Sequence, residues 1–203
     1  MSSPADPLHQ ALQFTLQWEG GYVNDPRDPG GATNKGVTQA TYDSYRRKKG
    51  QPTAPVKGIS DAEVQAIYET LYWAAAQCDK LPWPLSAAHF DSAVNAGPKQ
   101  AAKLLQRALH VADDGIIGPG TLAAAQAADP VAAADGDCDA RLAFYQALVK
   151  SKPTLGAFLK GWTRRVEALR VFCGAAAPSF DPMEHAPEPT HSLLRELEDS
   201  FGL

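Results

Sequence analysis

The chain has 203 residues, 44% of them hydrophobic, which is enough for one substantial domain or a two-lobed one with a real core. Its formal net charge is only −4, and its densest basic run, residues 46–49, is typical of a solvated helix end, so the composition argues against a nucleic-acid-binding protein. Neither an apolar run of about 18 residues nor a signal peptide is found, which predicts synthesis in the cytoplasm as a soluble protein.

Residues 7–36 predict a helix followed by a turn-rich segment. Asp6 and Pro7 are a typical N-cap and first-turn pair, and apolar residues follow at helical spacing as far as Trp18. Residues 20–36 contain five glycines and two prolines, which break the helical period. This segment is predicted to be a structured loop or a small β-hairpin.

The rest of the body is predicted to be helical. Ser60 and Glu63 form a capping-box pattern that begins one helix. Other predicted helices cover residues 38–49, 85–95, 99–109, 121–128, 138–149 and 155–172. The fold class is therefore mainly α, with residues 7–97 and 98–173 as two regions packed into one compact unit.

Residues 174–203 carry the net acidity of the chain. They hold six acidic residues and one arginine, a charge of −5, whereas the remaining 17 acidic and 18 basic residues give +1. Residues 175–190 contain four prolines, and residues 192–201 are a short amphipathic stretch. We predict a flexible acidic tail that ends in a short helix.

The three cysteines carry no signal for a disulfide framework or a metal site. Cys78, Cys138 and Cys173 are far apart and show neither CxxC nor Cys/His ligand spacing. They are predicted to be small buried hydrophobic residues. We expect a monomer without metal or cofactor.

Three carboxylates lie at and just after the predicted end of the first helix: Glu19, Asp25 and Asp28. Glycoside hydrolysis needs one carboxylic acid that protonates the leaving oxygen and a second group that stabilises positive charge or activates water. The apolar neighbours Trp18 and Tyr22 would partly desolvate Glu19 and favour its protonated form, and Tyr22 is also a candidate substrate-binding residue. The same spacing also fits a helix end followed by aspartates that cap turns, so spacing alone leaves both interpretations open.

The stretch of residues 19–38, which starts with EGGY, resembles the signature of the glycoside hydrolase family 108 muramidases. Residues 114–121, 141–145 and 161–166 resemble the predicted peptidoglycan-binding region that accompanies this family, and the two resemblances together cover most of residues 8–172. They imply a lysozyme-like helical fold and an enzyme that cleaves peptidoglycan.

The resemblance also implies roles for individual residues. Glu19, the glutamate of the EGGY motif, is implied to be the catalytic general acid. Asp28 has the Glu-to-Asp offset of phage lysozymes and is implied to be the second carboxylate, ahead of Asp25, which precedes a proline and is more typical of a turn start. Thr33 is implied to position the water molecule, although the phage-type offset falls on Asn34.

The second half of the chain contains further candidate substrate-binding residues. Asp91 and Asn95 lie one helical turn apart and would line a sugar groove, unless Asn95 caps the helix end and Asp91 is merely solvated. Trp162 could stack on a sugar ring, and Arg141 or Arg165 could pair with a muramyl or peptide carboxylate. The alternative is a core position for Trp162 and structural ion pairs for the arginines.

The function predicted is cleavage of the β-1,4 bond between N-acetylmuramic acid and N-acetylglucosamine, with Glu19 as general acid. The alternatives are a lytic transglycosylase, which closes a 1,6-anhydro ring without using water, and a non-catalytic peptidoglycan-binding module. The resemblance implies bacterial cell-wall lysis from the periplasm, reached through a phage holin or an export route. No nucleic acid and no stable membrane association is expected.

Overall fold

A computed structural model of the chain describes residues 6–24 and 31–174. Its α-helices are α1 (Pro7–Glu19), α2 (Gln39–Lys48), α3 (Asp61–Tyr68), α4 (Leu85–Ala96), α5 (Pro98–Ala108), α6 (Pro119–Ala127), α7 (Pro130–Ser151) and α8 (Gly156–Phe172). Strands β1 (Thr33–Asn34) and β2 (Val37–Thr38) form an antiparallel hairpin. The predicted mainly α class with a small hairpin after the first helix is confirmed, whereas the predicted tail from residue 175 lies outside the described residues.

Local sequence signals fix several helix ends. The Asp6 side chain accepts a hydrogen bond from the His9 backbone N–H at 2.9 Å, and Ser60 and Glu63 form the predicted capping box. Gly20 ends α1 with a φ of 74°, in the left-handed region that a side chain disfavours. Gly20 therefore sets where α1 stops, and so where the Glu19 side chain lies.

Two elements differ from the sequence prediction. Helix α7 begins at Pro130, well before the predicted residue 138, because the Asp129 carboxylate caps it by accepting from the backbone N–H groups of Val131 and Ala132. The alanine-rich start of α7 gave no apolar periodicity by which to recognise it. Directly after α3, residues Glu69–Trp73 continue the chain as a π-helical segment.

Helix α4 lies at the centre of the molecule. All of its residues are buried, and it packs against α1, α5 and α7. Polar side chains on such a helix must find buried partners, because an unsatisfied buried polar group costs about 1–3 kcal/mol. The site described below depends on this requirement.

Helix α1 joins the two hydrophobic cores. Leu8 and Leu12 pack with residues of the first half of the chain, whereas Phe14 and Trp18 pack with the second half. Glu19 follows Trp18 directly and therefore lies where the two cores meet.

The cysteines are buried and free, as predicted, at residues 78, 138 and 173. Within the described ranges, no helix combines the length and apolar character needed to cross a bilayer. The same ranges contain no group of three or more histidine, cysteine, aspartate or glutamate side chains arranged to hold a metal ion.

Candidate active site

Glu19 is held by an arginine from the far end of the chain. Its Oε1 accepts a hydrogen bond from Arg165 Nη1 of α8 at 2.7 Å. The Glu19 side chain is 11% exposed and that of Arg165 is 6% exposed, so the pair lies at the boundary between the interior and solvent. A charge-assisted contact of this kind fixes the carboxyl in one orientation.

Arg165 binds Asp91 as well as Glu19. Arg165 Nη2 lies 2.7 Å from Asp91 Oδ1, and Arg165 Nε lies 3.0 Å from Asp91 Oδ2. Although burial lowers it, the pKa of Arg165 is raised well above its ordinary value by the Asp91 and Glu19 carboxylates. The guanidinium therefore stays charged and links α8 to both α4 and the end of α1.

Asp91 is the centre of this buried cluster. It also accepts from Arg141 Nη1 at 2.7 Å and from the Thr15 hydroxyl at 2.9 Å. Burial would raise the pKa of Asp91, but Arg165 and Arg141 hold it well below its usual range. Two arginines therefore share the buried Asp91 carboxylate, and one of them, Arg165, also binds Glu19.

The cluster extends from Arg141 along α7. Arg141 Nε donates to the Tyr145 hydroxyl at 2.6 Å, and that hydroxyl donates a short hydrogen bond to Asn95 Oδ1 of α4. Arg141, Tyr145 and Asn95 are all buried. This network ties α7 to α4 beneath Glu19, and the alternative of structural ion pairs for Arg141 and Arg165 is confirmed.

A tight turn lies against the other side of Glu19. Lys35 and Gly36 connect β1 and β2 with φ values of 50° and 73°, which is typical of a two-residue hairpin turn. A Cβ atom placed on Gly36 would lie 3.1 Å from Glu19 Oε2 and 2.2 Å from the Tyr68 hydroxyl oxygen. That hydroxyl donates to the Lys35 carbonyl at 3.0 Å and so holds the turn in place. Only glycine fits this position.

The hairpin also contains the candidate hydroxyl. Thr33 pairs with Thr38 of β2 and bridges Val23, whose backbone N–H donates to the Thr33 carbonyl at 2.8 Å. The neighbouring Asn34 is buried, and its amide donates to the backbone carbonyls of Val56 and Lys57 at 3.2 and 3.1 Å. The Asn34 side chain is therefore occupied in holding the hairpin.

Tyr22 lies on the surface near this hairpin. It is 41% exposed, and Lys57 Nζ lies 5.4 Å from the centre of its ring. Among the predicted substrate-binding residues, it is the one whose side chain is accessible to a ligand.

The three other predicted substrate-binding residues are not at a groove, and these predictions are wrong. Asp91 is fully buried and Asn95 is 3% exposed, because α4 is covered on all sides. The alternatives fail as well, since Asp91 is not solvated and Asn95 bonds Tyr145 instead of capping α4. Trp162 is 2% exposed, with its ring centre 4.8 Å from that of Tyr145, so the core alternative is confirmed.

Asp25 and Asp28 lie outside the described residues. The sequence analysis missed the pairing of Arg165 with Glu19 and the approach of Gly36. The first has no local signal, because the partners are 146 residues apart. The second has one, since an Asn-Lys-Gly turn between short alternating segments is typical of a hairpin.

The arrangement around Glu19 is suited to proton transfer. One carboxyl oxygen is bound to a fixed cation, and the other faces a turn that leaves no room for a side chain. Such a group can exchange a proton with a ligand atom that reaches it, because Arg165 stabilises the carboxylate form.

Comparisons with known proteins identify the family and the fold. Residues 12–97 match the family model described as Glycosyl hydrolase 108, and residues 100–167 match the model described as Predicted Peptidoglycan domain. The structure is similar to that of SagA of Brucella abortus, with 37% sequence identity, coverage of 82% of this chain and 92% of that chain, and a TM-score of 0.66. A search of curated proteins found no match. The predicted lysozyme-like helical fold is confirmed.

Proposed function

Because the chain belongs to the glycosyl hydrolase 108 family, as its sequence predicted, we propose that it is a muramidase with Glu19 as its general acid. The bond that it would cleave is the β-1,4 linkage between N-acetylmuramic acid and N-acetylglucosamine. The two matched models support the coarser conclusion, a glycoside hydrolase that acts on peptidoglycan. The observation that carries the finer one is the Glu19 carboxyl, bound at Oε1 and turned with Oε2 toward Gly36.

In the proposed reaction, Glu19 gives its proton to the glycosidic oxygen as the bond between that oxygen and C1 of the muramyl sugar breaks. Water supplies a hydroxyl group to C1, and its second proton returns to a carboxylate of the enzyme. Atoms and charge balance, and the product has a reducing muramyl end.

Arg165 is the positioning residue in this proposal. It stabilises the Glu19 carboxylate after the proton has left, through the contact between Nη1 and Oε1. Asp91 binds the same guanidinium through both of its carboxylate oxygens and so fixes the position of Arg165 against Glu19.

The second carboxylate and the hydroxyl are assigned by family resemblance. We propose Asp28, ahead of Asp25, as the carboxylate that stabilises charge at C1 or activates water, and Thr33 as the hydroxyl that positions the water. The occupied amide of Asn34 favours Thr33 over its neighbour.

The test is digestion of purified peptidoglycan by the wild-type chain and by Glu19→Gln, with the fragments identified by mass spectrometry. We expect reducing muramyl ends from the wild type and a loss of rate on the order of a hundredfold or more in Glu19→Gln. Glu69→Gln is the matched control, because it makes the same change at an exposed glutamate and should leave the rate unchanged.

The outcomes separate the alternatives. Fragments that end in 1,6-anhydro rings would identify a lytic transglycosylase. Binding to peptidoglycan without any fragments would identify a binding module, and equal rates for Glu19→Gln and Glu69→Gln would remove Glu19 from the role of general acid.

A further inference from the structure

A surface groove that the proposed reaction does not use lies between α2 and the π-helical segment. Its volume is about 570 Å3. Its lining includes the apolar side chains of Tyr45, Ile67 and Leu71, and Leu71 is 39% exposed. The groove therefore leaves apolar surface in contact with solvent, at a cost of about 25 cal/mol per Å2 relative to burial.

The rim of this groove is basic. Lys48 and Lys49 line one end, and Lys49 Nζ lies 6.0 Å from the centre of the Tyr45 ring. Among the described residues neither lysine forms a salt bridge, in contrast to Arg46, which pairs with Glu63 at 2.8 Å. An apolar floor with an uncompensated basic rim fits an acidic amphipathic segment.

The chain itself contains such a segment. Apolar residues recur at one-turn spacing in Leu193, Leu197 and Phe201, and the residues between them include Glu196, Glu198 and Asp199. Residues 175–203 can span more than ~90 Å when extended, several times the ~15 Å radius of gyration expected for the body. The segment can therefore reach the groove from Gly174, the last described residue of the body.

Charge distinguishes this groove from two other grooves on the described part of the chain. The groove of about 360 Å3 between α1 and α8 lies close to Gly174, but its polar side chains are glutamines and no cation lines it. The groove of about 550 Å3 between α5 and α7 contains Arg107 and Asp139, which are already paired with Asp113 and Arg170. The groove beside α2 alone combines exposed apolar surface with free basic groups among these three.

We propose that residues 192–201 dock in the groove beside α2 of the same chain. The apolar residues of the segment cover Leu71 and Tyr45, and its acidic residues pair with Lys48 and Lys49. Helix α2 directly follows the hairpin that approaches Glu19. Docking would therefore connect residues 192–201 to an element next to the proposed active site.

Zero-length carbodiimide cross-linking of the full chain, read out by mass spectrometry, tests this proposal. An equal mixture of 14N- and 15N-labelled protein distinguishes links within one chain from links between two. The expected products join Lys48 or Lys49 to Glu196, Glu198 or Asp199 and carry a single isotope. Raising the salt from ~0.05 M to ~0.5 M should reduce their yield, because it shortens the Debye length.

Two variants test the apolar contribution without removing any cross-linking group. Leu197→Ser/Phe201→Ser, which leaves the body unchanged, should lower the yield by about tenfold through lost apolar burial. Leu71→Ser should do the same, whereas Ile116→Ser, at a side chain that is 68% exposed and outside the groove, should not. Folding of the two body variants is checked by thermal unfolding.

The remaining outcomes overturn the proposal. Mixed-isotope links would show that a second copy occupies the groove. Links from the tail mainly to lysines elsewhere, such as Lys99 or Lys160, or no links at all, would show that the groove is not the tail's site.

Discussion

The two sides of Glu19 make different kinds of contact. On the inner side, Arg165, Asp91 and Arg141 form a buried ion-pair cluster whose members come from α8, α4 and α7. On the outer side, a hairpin turn approaches through backbone shape alone, at Gly36. The difference shows how one carboxyl can be fixed in direction by charge on one side and by steric fit on the other.

The largest expected effect comes from removing the charge of Asp91. In Asp91→Asn, both Arg165 and Arg141 lose their buried carboxylate, and breaking a buried ion pair on one side costs about 3–5 kcal/mol. We expect a loss of this size in the free energy of unfolding, measured by urea denaturation. Asp113→Asn breaks an exposed pair with Arg107 and should cost far less, because solvent screens that pair. Equal losses in the two variants would mean that the inner cluster does not hold the site.

The next effect is the pH dependence of the free energy of unfolding, which involves two other buried groups, Asp137 and His89. Burial raises the pKa of Asp137 to about 6, against a hydrogen bond from Ser92, and burial lowers the pKa of His89 to about 4. The stabilisation that Asp137 adds to the free energy of unfolding is present below about pH 4 and is lost as the pH rises through about 6. That of His89 is present above about pH 6.5 and is lost as the pH falls toward 4. In the wild type, the pH dependence of the free energy of unfolding that comes from Asp137 therefore opposes the one that comes from His89.

Single substitutions should separate them. In Asp137→Asn we expect the free energy of unfolding to rise between pH 4 and 6.5 by on the order of 3 kcal/mol, because only the His89 slope remains. In His89→Gln it should fall over the same range, by on the order of 2–3 kcal/mol. Urea denaturation at several pH values measures both, and parallel profiles for the two variants would contradict the assignment.

The outer side is tested by Gly36→Ala. Left-handed backbone costs an alanine about 1–2 kcal/mol, and the new methyl group would also collide with the Tyr68 hydroxyl and press on Glu19 Oε2. Gly50→Ala is the matched control, because Gly50 has a φ of 68° and open space around it. We expect similar backbone strain in both variants, but a larger loss of stability and a fall in hydrolysis rate only in Gly36→Ala. Unchanged activity in Gly36→Ala would show that the turn does not shape the site.

The smallest effect is expected at Tyr22. If its exposed ring contacts the glycan, Tyr22→Ser should raise KM by about three- to tenfold, the size of a lost aromatic contact, with kcat little changed. Tyr22→Phe keeps the ring and should behave as the wild type. Steady-state kinetics on soluble glycan strands measures both variants, and an unchanged KM in Tyr22→Ser would exclude the contact.

The sequence predicted those parts of the fold that depend on short-range signals. Asp6 and the Ser60 capping box marked helix starts correctly, and the glycine-rich segment after Glu19 contained the hairpin. The start of α7 was missed because alanines carry no periodicity. The importance of Glu19 came from its resemblance to a family, since its spacing alone fitted a plain helix end equally well.

The positions of the buried polar residues could not be predicted. Asp91 and Asn95 were placed at a groove because polar residues on one face of a helix usually meet solvent. Their partners, Arg141, Tyr145 and Arg165, lie 50 to 74 residues further along the chain. A local pattern contains no information about such contacts.

The contact between Glu19 and Arg165 has a consequence for the order of synthesis. The carboxyl is made with α1, and its guanidinium partner is made only with α8, 146 residues later. A chain that is interrupted anywhere before α8 carries the acid without the cation that orients it. In this molecule the site is complete only once nearly the whole helical body has been made.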